Sequence, residues 1–369
     1  MKITAAVARE HNKPLTLETL TLSQPAADEV MVDLVATGIC HTDLVVRAGM
    51  LPTPLPVVLG HEGAGIVRQV GEKVTKVKVG DHVVMTFDHC ETCPSCKEQM
   101  PSYCHEFFPK NFFATRKDGT TALKDANGPV HSHFFGQSSF ASTAICRQTN
   151  VVKVSKTADL KMLGPLACGL QTGAGAVINA LKVAQGKSFI VFGTGSVGLA
   201  AIMAAKIQGA YPIIAVDKNP SRLAIAKELG ATHTLLSEGD TVNSLIAITG
   251  HGADFSLDTT GIPAVIRTAV ECLAPRGTCG ILGASGPDAE IVLNETHFMS
   301  GGRHLIGIVE GESQPETFIP ALIELYENGT FPFDKLITFY SYTNINKAIA
   351  DIENGAAIKP VILWNGAGK

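Results

Sequence analysis

Hydrophobic and polar positions follow two different patterns along the chain. Up to about residue 150, short alternating runs are broken by Gly, Pro and Asp, and the clearest strands are predicted at 31–37, 63–70 and 82–86. This pattern predicts a small antiparallel β barrel. From about residue 165, apolar strands alternate with amphipathic segments of helical length, which is typical of βαβ units.

The second half is predicted to form one doubly wound parallel sheet of six strands, so the fold class is α/β. Strands are expected at 188–192, 212–216, 233–236, 255–258, 278–282 and 304–309. Helices are expected at 197–208, 221–229, 242–248 and 264–273. The tail, with helices at 316–327 and 345–352 and strands at 336–340 and 360–364, is expected to return to the first domain.

Length and composition narrow the class of protein. A chain of 369 residues exceeds what one hydrophobic core usually supports, so two domains are expected. The net charge of -4 and the lack of a basic patch give nucleic-acid binding no support. Neither a signal peptide nor a membrane span is expected, because the apolar segments are too short. Nine cysteines without an export signal favour metal binding or free thiols in the cytoplasm.

Four cysteines in the first half have the spacing of a metal site. The run C-x2-C-x2-C-x7-C, within a lobe at about 88–106, is formed by Cys90, Cys93, Cys96 and Cys104. Four thiolates suit a closed structural zinc site, which braces a loop and performs no chemistry. An iron–sulfur cluster is the alternative. The bacterial ferredoxin run, however, places its fourth cysteine after three residues and before a proline, whereas His105 follows here.

A glycine-rich loop follows the first strand of the predicted sheet. The run Gly193-Thr194-Gly195-Ser196-Val197-Gly198 matches G-x-G-x-x-G between a strand and a helix, which is the context that dinucleotide binding requires. Gly193 allows the tight turn, Gly195 lets pyrophosphate approach, and Gly198 lets helix and strand pack closely. The helix N-terminus offers free N–H groups to the anion.

The next strand ends in Asp217, nineteen residues past Gly198. A carboxylate there would accept from both ribose hydroxyls and repel a 2′-phosphate, so NAD is favoured over NADP. Lys218 and Arg222 are candidate adenosine contacts, although both are equally explained as solvated surface charges.

Three residues offer ligands for a second metal. Cys40 lies in the run GICHTD, His61 in Gly60-His61-Glu62 after a proline-rich connection, and Cys168 at the start of a predicted helix. Singly, each is explained as a buried thiol or a satisfied histidine. Together with the glycine loop and the cysteine lobe, they resemble the zinc-dependent medium-chain alcohol dehydrogenases across nearly the whole chain.

The resemblance implies a GroES-like catalytic domain at 1–169, a Rossmann NAD-binding domain at 170–308 and a return to the catalytic domain at 309–369. It implies NAD and two zinc ions per chain, one catalytic and one structural. Cys40, His61 and Cys168 would hold the catalytic zinc, with Glu62 behind the metal and Asp43 accepting from the imidazole. A homodimer or homotetramer would form through the edge strand at 304–311.

The resemblance also implies roles in proton transfer and cofactor binding. Thr42 would take the alcohol proton, Thr172 would pack on the nicotinamide, and His41 and Lys359 would contact the pyrophosphate. In many relatives a histidine three residues beyond the hydroxyl residue ends the proton relay, but Val45 stands there. The proton is therefore expected to pass to water or to His41.

The expected substrate is a primary aromatic alcohol. Seven of the 16 phenylalanines lie at 107, 108, 112, 113, 134, 135 and 140, where they suit an apolar pocket, although core or subunit packing would explain them equally well. The run at 134–140, together with those at 164–169 and 331–337, resembles the bacterial aryl (benzyl) alcohol dehydrogenases. The alternatives are terpenoid or allylic alcohols such as perillyl alcohol and geraniol, glutathione-dependent formaldehyde oxidation and, outside the class, a non-catalytic NAD and zinc redox sensor.

Overall fold

The computed structural model describes residues 1–286 and 288–364, which form two compact units. Among the described residues, the first unit contains 1–168, 314–323 and 334–364, and the second contains 169–286, 288–313 and 324–333. Residues 365–369 of the predicted return segment lie outside the described part of the chain.

Short strands and helices make up the first 168 residues. In chain order they are β1 (Lys2–Ala8), β2 (Thr16–Leu22), β3 (Glu29–Gly38), α1 (His41–Arg47), β4 (Val57–Val58), β5 (Glu62–Val70), β6 (His82–Met85), α2 (Pro94–Lys97), α3 (Phe107–Phe112), β7 (Leu123–Lys124), β8 (Pro129–Val130), β9 (Thr143–Arg147), β10 (Val151–Val154) and α4 (Leu160–Leu163). The predicted strands at 31–37, 63–70 and 82–86 correspond to β3, β5 and β6.

The second unit is built on a parallel sheet. Its elements are α5 (Gly169–Gly175), β11 (Phe189–Phe192), α6 (Ser196–Ile207), β12 (Ile213–Asp217), α7 (Pro220–Leu229), β13 (His233–Leu236), α8 (Thr241–Thr249), β14 (Ala253–Asp258), α9 (Pro263–Glu271), β15 (Leu273–Ile281), α10 (Glu295–Ser300) and β16 (His304–Gly307). The strand order is β13-β12-β11-β14-β15-β16, and every pair is parallel, so the predicted six-stranded sheet is confirmed.

Burial explains the sequence of the central strand of this sheet. All four positions of β11 are buried, so both of its faces are covered and its sequence is continuously apolar. The strand order reverses between β11 and β14. The carboxyl ends of these strands therefore border the crevice in which α/β sheets bind ligands, and the glycine-rich loop follows β11 directly.

The end of the chain supplies further strands to the first unit. The last elements are α11 (Pro315–Glu327), β17 (Ile337–Ser341), α12 (Ile345–Glu353) and β18 (Lys359–Leu363). β18 pairs antiparallel with β3 and parallel with β17.

The strands of the first unit are arranged in two sheets. Among the described residues, one sheet has five strands in the order β4-β1-β2-β7-β8. The other has seven, in the order β10-β6-β5-β3-β18-β17, with β9 also on β3. This second sheet is completed by β17 and β18 from far along the chain, and these two strands pair in parallel rather than antiparallel as predicted. No helix within the described ranges combines the length and apolarity that crossing a bilayer requires.

Candidate metal centre

Four residues predicted from the sequence come together in the first unit. The ligand atoms of Cys40, His61, Glu62 and Cys168 lie within 4.8 Å of one another, and the two sulfur atoms are 4.0 Å apart. Cys40 caps α1, His61 and Glu62 stand at the start of β5, and Cys168 follows a turn of 3-10 helix at Gly164–Ala167.

Asp43 joins the two loops that carry Cys40 and His61. One carboxylate oxygen accepts from the Gly60 N–H and from His61 Nδ1, both at 3.0 Å, and the other accepts from the Cys40 N–H at 2.9 Å. The predicted pairing of Asp43 with the imidazole is therefore present. Because Nδ1 carries its proton toward Asp43, the other ring nitrogen of His61, Nε2, retains a lone pair.

His61 Nε2 shows that the residues fit a metal ion. The atom is buried, and it has no hydrogen-bond partner among the described residues. A buried nitrogen lone pair beside two thiols is an unsatisfied acceptor that a zinc ion would satisfy. Two cysteines and one histidine form a donor set typical of catalytic zinc, which keeps one coordination position open.

The electrostatics of Cys40 favour the thiolate that binds zinc. The hydrogen bond with Cys168, together with the charge of Lys359, lowers the pKa of Cys40 well below its usual value. Burial acts in the opposite direction and is outweighed. Because a metal ion binds the thiolate rather than the thiol, the lowered pKa of Cys40 favours zinc binding.

Replacing Asp43 with asparagine is expected to weaken zinc binding about 10- to 100-fold, the effect of losing a carboxylate that orients a histidine ligand. An amide cannot accept from all three N–H groups that Asp43 now serves. Competition for zinc with a chromophoric chelator measures the change. Asp33→Asn, which alters a half-buried carboxylate of β3, is the control, and equal zinc affinity in the two variants would contradict the role of Asp43.

Glu62 and Lys359 form a buried ion pair beside these ligands. Lys359 Nζ lies 2.9 and 3.0 Å from the Glu62 oxygens and donates to the Ile39 carbonyl at 3.2 Å. Burial raises the pKa of Glu62 although Lys359 opposes the shift. Burial disfavours the ammonium too, but the charges of Glu62 and Cys40 hold the pKa of Lys359 above its usual value.

Lys359 has partners that the sequence did not predict. The residue is 1% exposed, and its ammonium contacts the Ile39 carbonyl and both carboxylate oxygens of Glu62. The contact with pyrophosphate that the family resemblance implies stays a prediction.

The second predicted metal site is also assembled. Ligand atoms of Cys90, Cys93, Cys96 and Cys104 lie within 4.8 Å of one another. Burial acts to raise the pKa of Cys90, but hydrogen bonds from Thr92 and from the Cys93 N–H lower it to about 6. Four clustered thiols, with backbone N–H groups donating to the sulfur atoms of Cys90, Cys93 and Cys104, fit a closed structural zinc.

Three further residues lie in or beside α1. Thr42 is half-buried, with its hydroxyl 3.8 Å from Cys40 Sγ. His41 is exposed at the first position of the helix. Val45 is half-buried and has no group that could carry a proton.

The glycine-rich loop of the second unit has the shape of a phosphate cradle. Gly193 has φ of 89°, and a side chain on Gly198 would collide with the Gly193 carbonyl. A β-carbon on Gly195 would meet only open space up to the Arg222 guanidinium at 3.6 Å. The loop, with Thr194, Ser196 and Val197 between its glycines, therefore fits a dinucleotide pyrophosphate at the N-terminus of α6.

Asp217 at the end of β12 braces this loop. One carboxylate oxygen accepts from both the N–H and the hydroxyl of Thr194 at 2.6 Å, and the other accepts from the Asn219 N–H at 2.9 Å. Asp217 is half-buried and Lys218 is exposed. Elsewhere in the second unit, the Thr172 hydroxyl lies 3.3 Å from a carboxylate oxygen of Glu310.

The seven phenylalanines do not share one environment. Phe134 and Phe140 are fully buried, which core packing explains, whereas Phe108 and Phe113 are 41% and 46% exposed. Phe107 is half-buried and Phe112 is buried. The ring of Phe135 stacks on His61 with centroids 4.4 Å apart, and Phe134 meets the same imidazole edge-on at 5.6 Å.

Sequence reasoning missed Gln137, whose buried amide contacts the backbone beside His61. A glutamine inside a Gly- and Ser-rich run gives no local signal, because its partners lie 51 to 76 residues away in sequence.

Comparison with known proteins identifies the class. The model described as alcohol dehydrogenase GroES-like domain matches residues 26–156, and the model described as zinc-binding dehydrogenase matches residues 196–328. The chain belongs to the zinc-dependent medium-chain alcohol dehydrogenases, whose cofactors are NAD and zinc.

Three individual proteins are similar to this chain over nearly its whole length. The chain is 46% identical over 363 residues to the geraniol dehydrogenase of Castellaniella defragrans, covering 98% of this chain and 97% of the relative. A zinc-binding alcohol dehydrogenase domain protein from Burkholderia ambifaria is 51% identical with a TM-score of 0.97, covering 98% and 99% of the two chains. The benzyl alcohol dehydrogenase of Acinetobacter calcoaceticus is 45% identical with a TM-score of 0.95 and the same coverage.

Proposed function

We propose that this alcohol dehydrogenase oxidises primary aromatic alcohols of the benzyl type to aldehydes, reversibly, with hydride transfer to NAD. The observation that carries the chemistry is the buried Nε2 of His61, which has no hydrogen-bond partner among the described residues and lies beside Cys40 and Cys168. Two observations support an aromatic substrate. They are the similarity to a benzyl alcohol dehydrogenase and the rings of Phe134 and Phe135 against His61.

In this proposal each unit contributes defined groups. Cys40, His61 and Cys168 would hold the catalytic zinc, with Asp43 orienting the imidazole. The 193–198 loop would bind the pyrophosphate and Asp217 the ribose. When bound, zinc supplies a Lewis acid for the alcohol oxygen and NAD supplies the hydride acceptor. The Thr42 hydroxyl would take the alcohol proton.

His41 is the proposed next acceptor of that proton. Val45 offers no such group, whereas His41 is exposed and adjacent to Thr42. His41→Gln is expected to lower turnover about 10²-fold near neutral pH, at the low end of what a positioned general base contributes. The measurement is kcat across about pH 5 to 8, the range in which histidine ordinarily titrates. The control is His251→Gln, at an exposed histidine of the second unit, and a wild-type profile for His41→Gln would exclude this role.

Terpenoid and allylic primary alcohols form the second candidate class of substrate. The specific observation in their favour is the 46% identity to a geraniol dehydrogenase, one percentage point above the 45% identity to the benzyl alcohol dehydrogenase. Both classes carry a planar unsaturated carbon next to the alcohol carbon, so the same rings suit either.

A substrate panel tests the proposal. Purified protein with NAD is mixed with benzyl alcohol, geraniol, perillyl alcohol, ethanol and S-hydroxymethylglutathione, and nicotinamide reduction is followed, with NADP and a chelator as controls. The highest kcat/KM for benzyl alcohol, lost with the chelator, is the expected result. A preference for geraniol or perillyl alcohol would shift the substrate to the terpenoids. If no alcohol is turned over while zinc and NAD are bound, the result would favour the non-catalytic redox sensor.

Assembly and location are also proposed. β16 is the edge strand of the parallel sheet, and pairing with the same strand of a second copy would extend that sheet into a homodimer, or a homotetramer of two such pairs. Light scattering of the purified protein separates these states from a monomer. Nine free cysteines support a reducing compartment such as the cytoplasm.

A further inference from the structure

We propose that Gln137 is a positioning residue that fixes the spacing between the metal ligands His61 and Cys168. The inference rests on the proposed ligand set and adds to it a residue outside the coordination sphere. Gln137 lies in the segment Phe134–Phe140. The backbone of this segment is hydrogen-bonded to the loop that carries His61, and one of its aromatic rings stacks on the His61 imidazole.

The amide of Gln137 is bonded on both of its sides. The residue is 0% exposed. Its Nε2 donates to the carbonyl oxygens of His61 and Met85 at 3.0 Å and lies 3.2 Å from that of Thr86. Its Oε1 accepts from the Gly63 N–H at 3.1 Å. One side chain therefore holds the start of β5, where His61 lies, against the end of β6.

Thr86 continues this network to the other ligand. Its hydroxyl donates at 2.8 Å to the carbonyl of Ala167, the residue before Cys168. The Asn150 amide donates to the Thr86 carbonyl at 3.0 Å and to the Phe135 carbonyl at 3.2 Å. A buried connection thus runs from the His61 peptide through Gln137 and the Met85–Thr86 peptide to the Thr86 hydroxyl and the Cys168 peptide.

The backbone on both sides of Gln137 is strained, which supports its role as a positioning residue. Phe135 has φ of 49° and Ser138 has φ of 48°. Both values lie in the left-handed region, which residues other than glycine rarely adopt. Such strain persists where the surroundings enforce it, and it concentrates at functional sites. Here Ser138 Oγ donates to the Val58 carbonyl at 2.5 Å, and the Ser139 N–H donates to the Gly60 carbonyl at 2.9 Å.

An amide is the side chain that this position requires. It donates and accepts at once without carrying a charge, whereas a carboxylate only accepts and an apolar side chain does neither. Loss of the amide would leave the His61 carbonyl and the Gly63 N–H without this partner in a buried environment. We expect the loop to move to recover hydrogen bonds, and His61 to move with it.

The test compares Gln137→Met with a matched control, both loaded with zinc and then with cobalt at the catalytic site. The control is Asn111→Leu, at another fully buried amide of the first unit that bonds backbone groups of Asp88 and Phe107. Gln137→Met is expected to bind the catalytic metal about 10- to 100-fold more weakly than wild type. Its cobalt absorption spectrum should also be shifted. Asn111→Leu should lose thermal stability and keep the wild-type affinity and spectrum.

The outcomes distinguish a failure of the Gln137 role from a failure of the proposed ligand set. Wild type must first show a chelator-labile metal that Cys168→Ala lacks; without it the ligand set fails, and the inference fails with it. If that metal is present and Gln137→Met matches Asn111→Leu in affinity and spectrum, only the role of Gln137 is overturned. If Gln137→Met does not fold, Thr86→Val decides, because it removes the hydroxyl bond to Ala167. A changed cobalt spectrum supports the network, and an unchanged one overturns it.

Discussion

Cys168→Ala will reduce alcohol turnover by about 10³-fold or more and lower the zinc content from two ions per chain to one. Metal-assisted charge stabilisation contributes several kcal/mol to the transition state, and each 1.36 kcal/mol corresponds to about tenfold in rate. The second ion should stay because the cysteine lobe at 90–104 forms a separate site within the first unit. Metal analysis after dialysis, together with kcat for benzyl alcohol, measures both effects.

The control for this prediction is Cys146→Ala. Cys146 is a fully buried thiol of β9 in the same unit, and it lies outside both metal clusters of the described residues. This variant should retain two zinc ions and near-wild-type turnover, with a modest loss of stability. Wild-type turnover by Cys168→Ala with two ions still bound would show that the catalytic metal is held by other residues.

Lys359→Met will lower the free energy of unfolding by about 3–5 kcal/mol, the cost of removing one member of a buried ion pair. The Glu62 carboxylate is fully buried, and the variant would leave it without its countercharge. Urea denaturation followed by tryptophan fluorescence suits the measurement, since Trp364, the one tryptophan in the sequence, lies next to β18.

Two further variants make the interpretation of Lys359→Met specific. Lys187→Met removes an exposed ion pair with Asp254 and should change stability by less than about 1 kcal/mol. The double variant Lys359→Met with Glu62→Gln should recover much of the loss, because the buried negative charge is gone. An unfolding free energy for Lys359→Met equal to that of Lys187→Met would contradict the importance of the pair.

The sequence predicted what depends on local periodicity and local geometry. The parallel strands β11 to β16 were predicted because buried strands and intervening helices have distinct patterns. The glycine loop was recognisable because its turn needs glycine at defined positions, as the φ of Gly193 and the packing at Gly198 show. The clustering of Cys40, His61 and Cys168 came from a family resemblance, since residues so far apart in sequence give no spacing signal.

Features that depend on distant pairing were not predictable. The partner of Lys359 is 297 residues away in sequence, so no local pattern predicted its ion pair with Glu62. The left-handed conformation of Phe135 is imposed by tertiary packing and contradicts its local preference. The role of Gln137 is likewise set by carbonyl groups of other strands.

The pairing of β18 with β3 has a consequence for biosynthesis. A ribosome makes Glu62, at the start of β5, 297 residues before it makes Lys359. Until Lys359 has been made, Glu62 has no access to its countercharge, and the nascent first unit lacks the strand that pairs with β3 in its larger sheet. Such long-range pairing folds slowly and leaves strand edges open until β18 has been made.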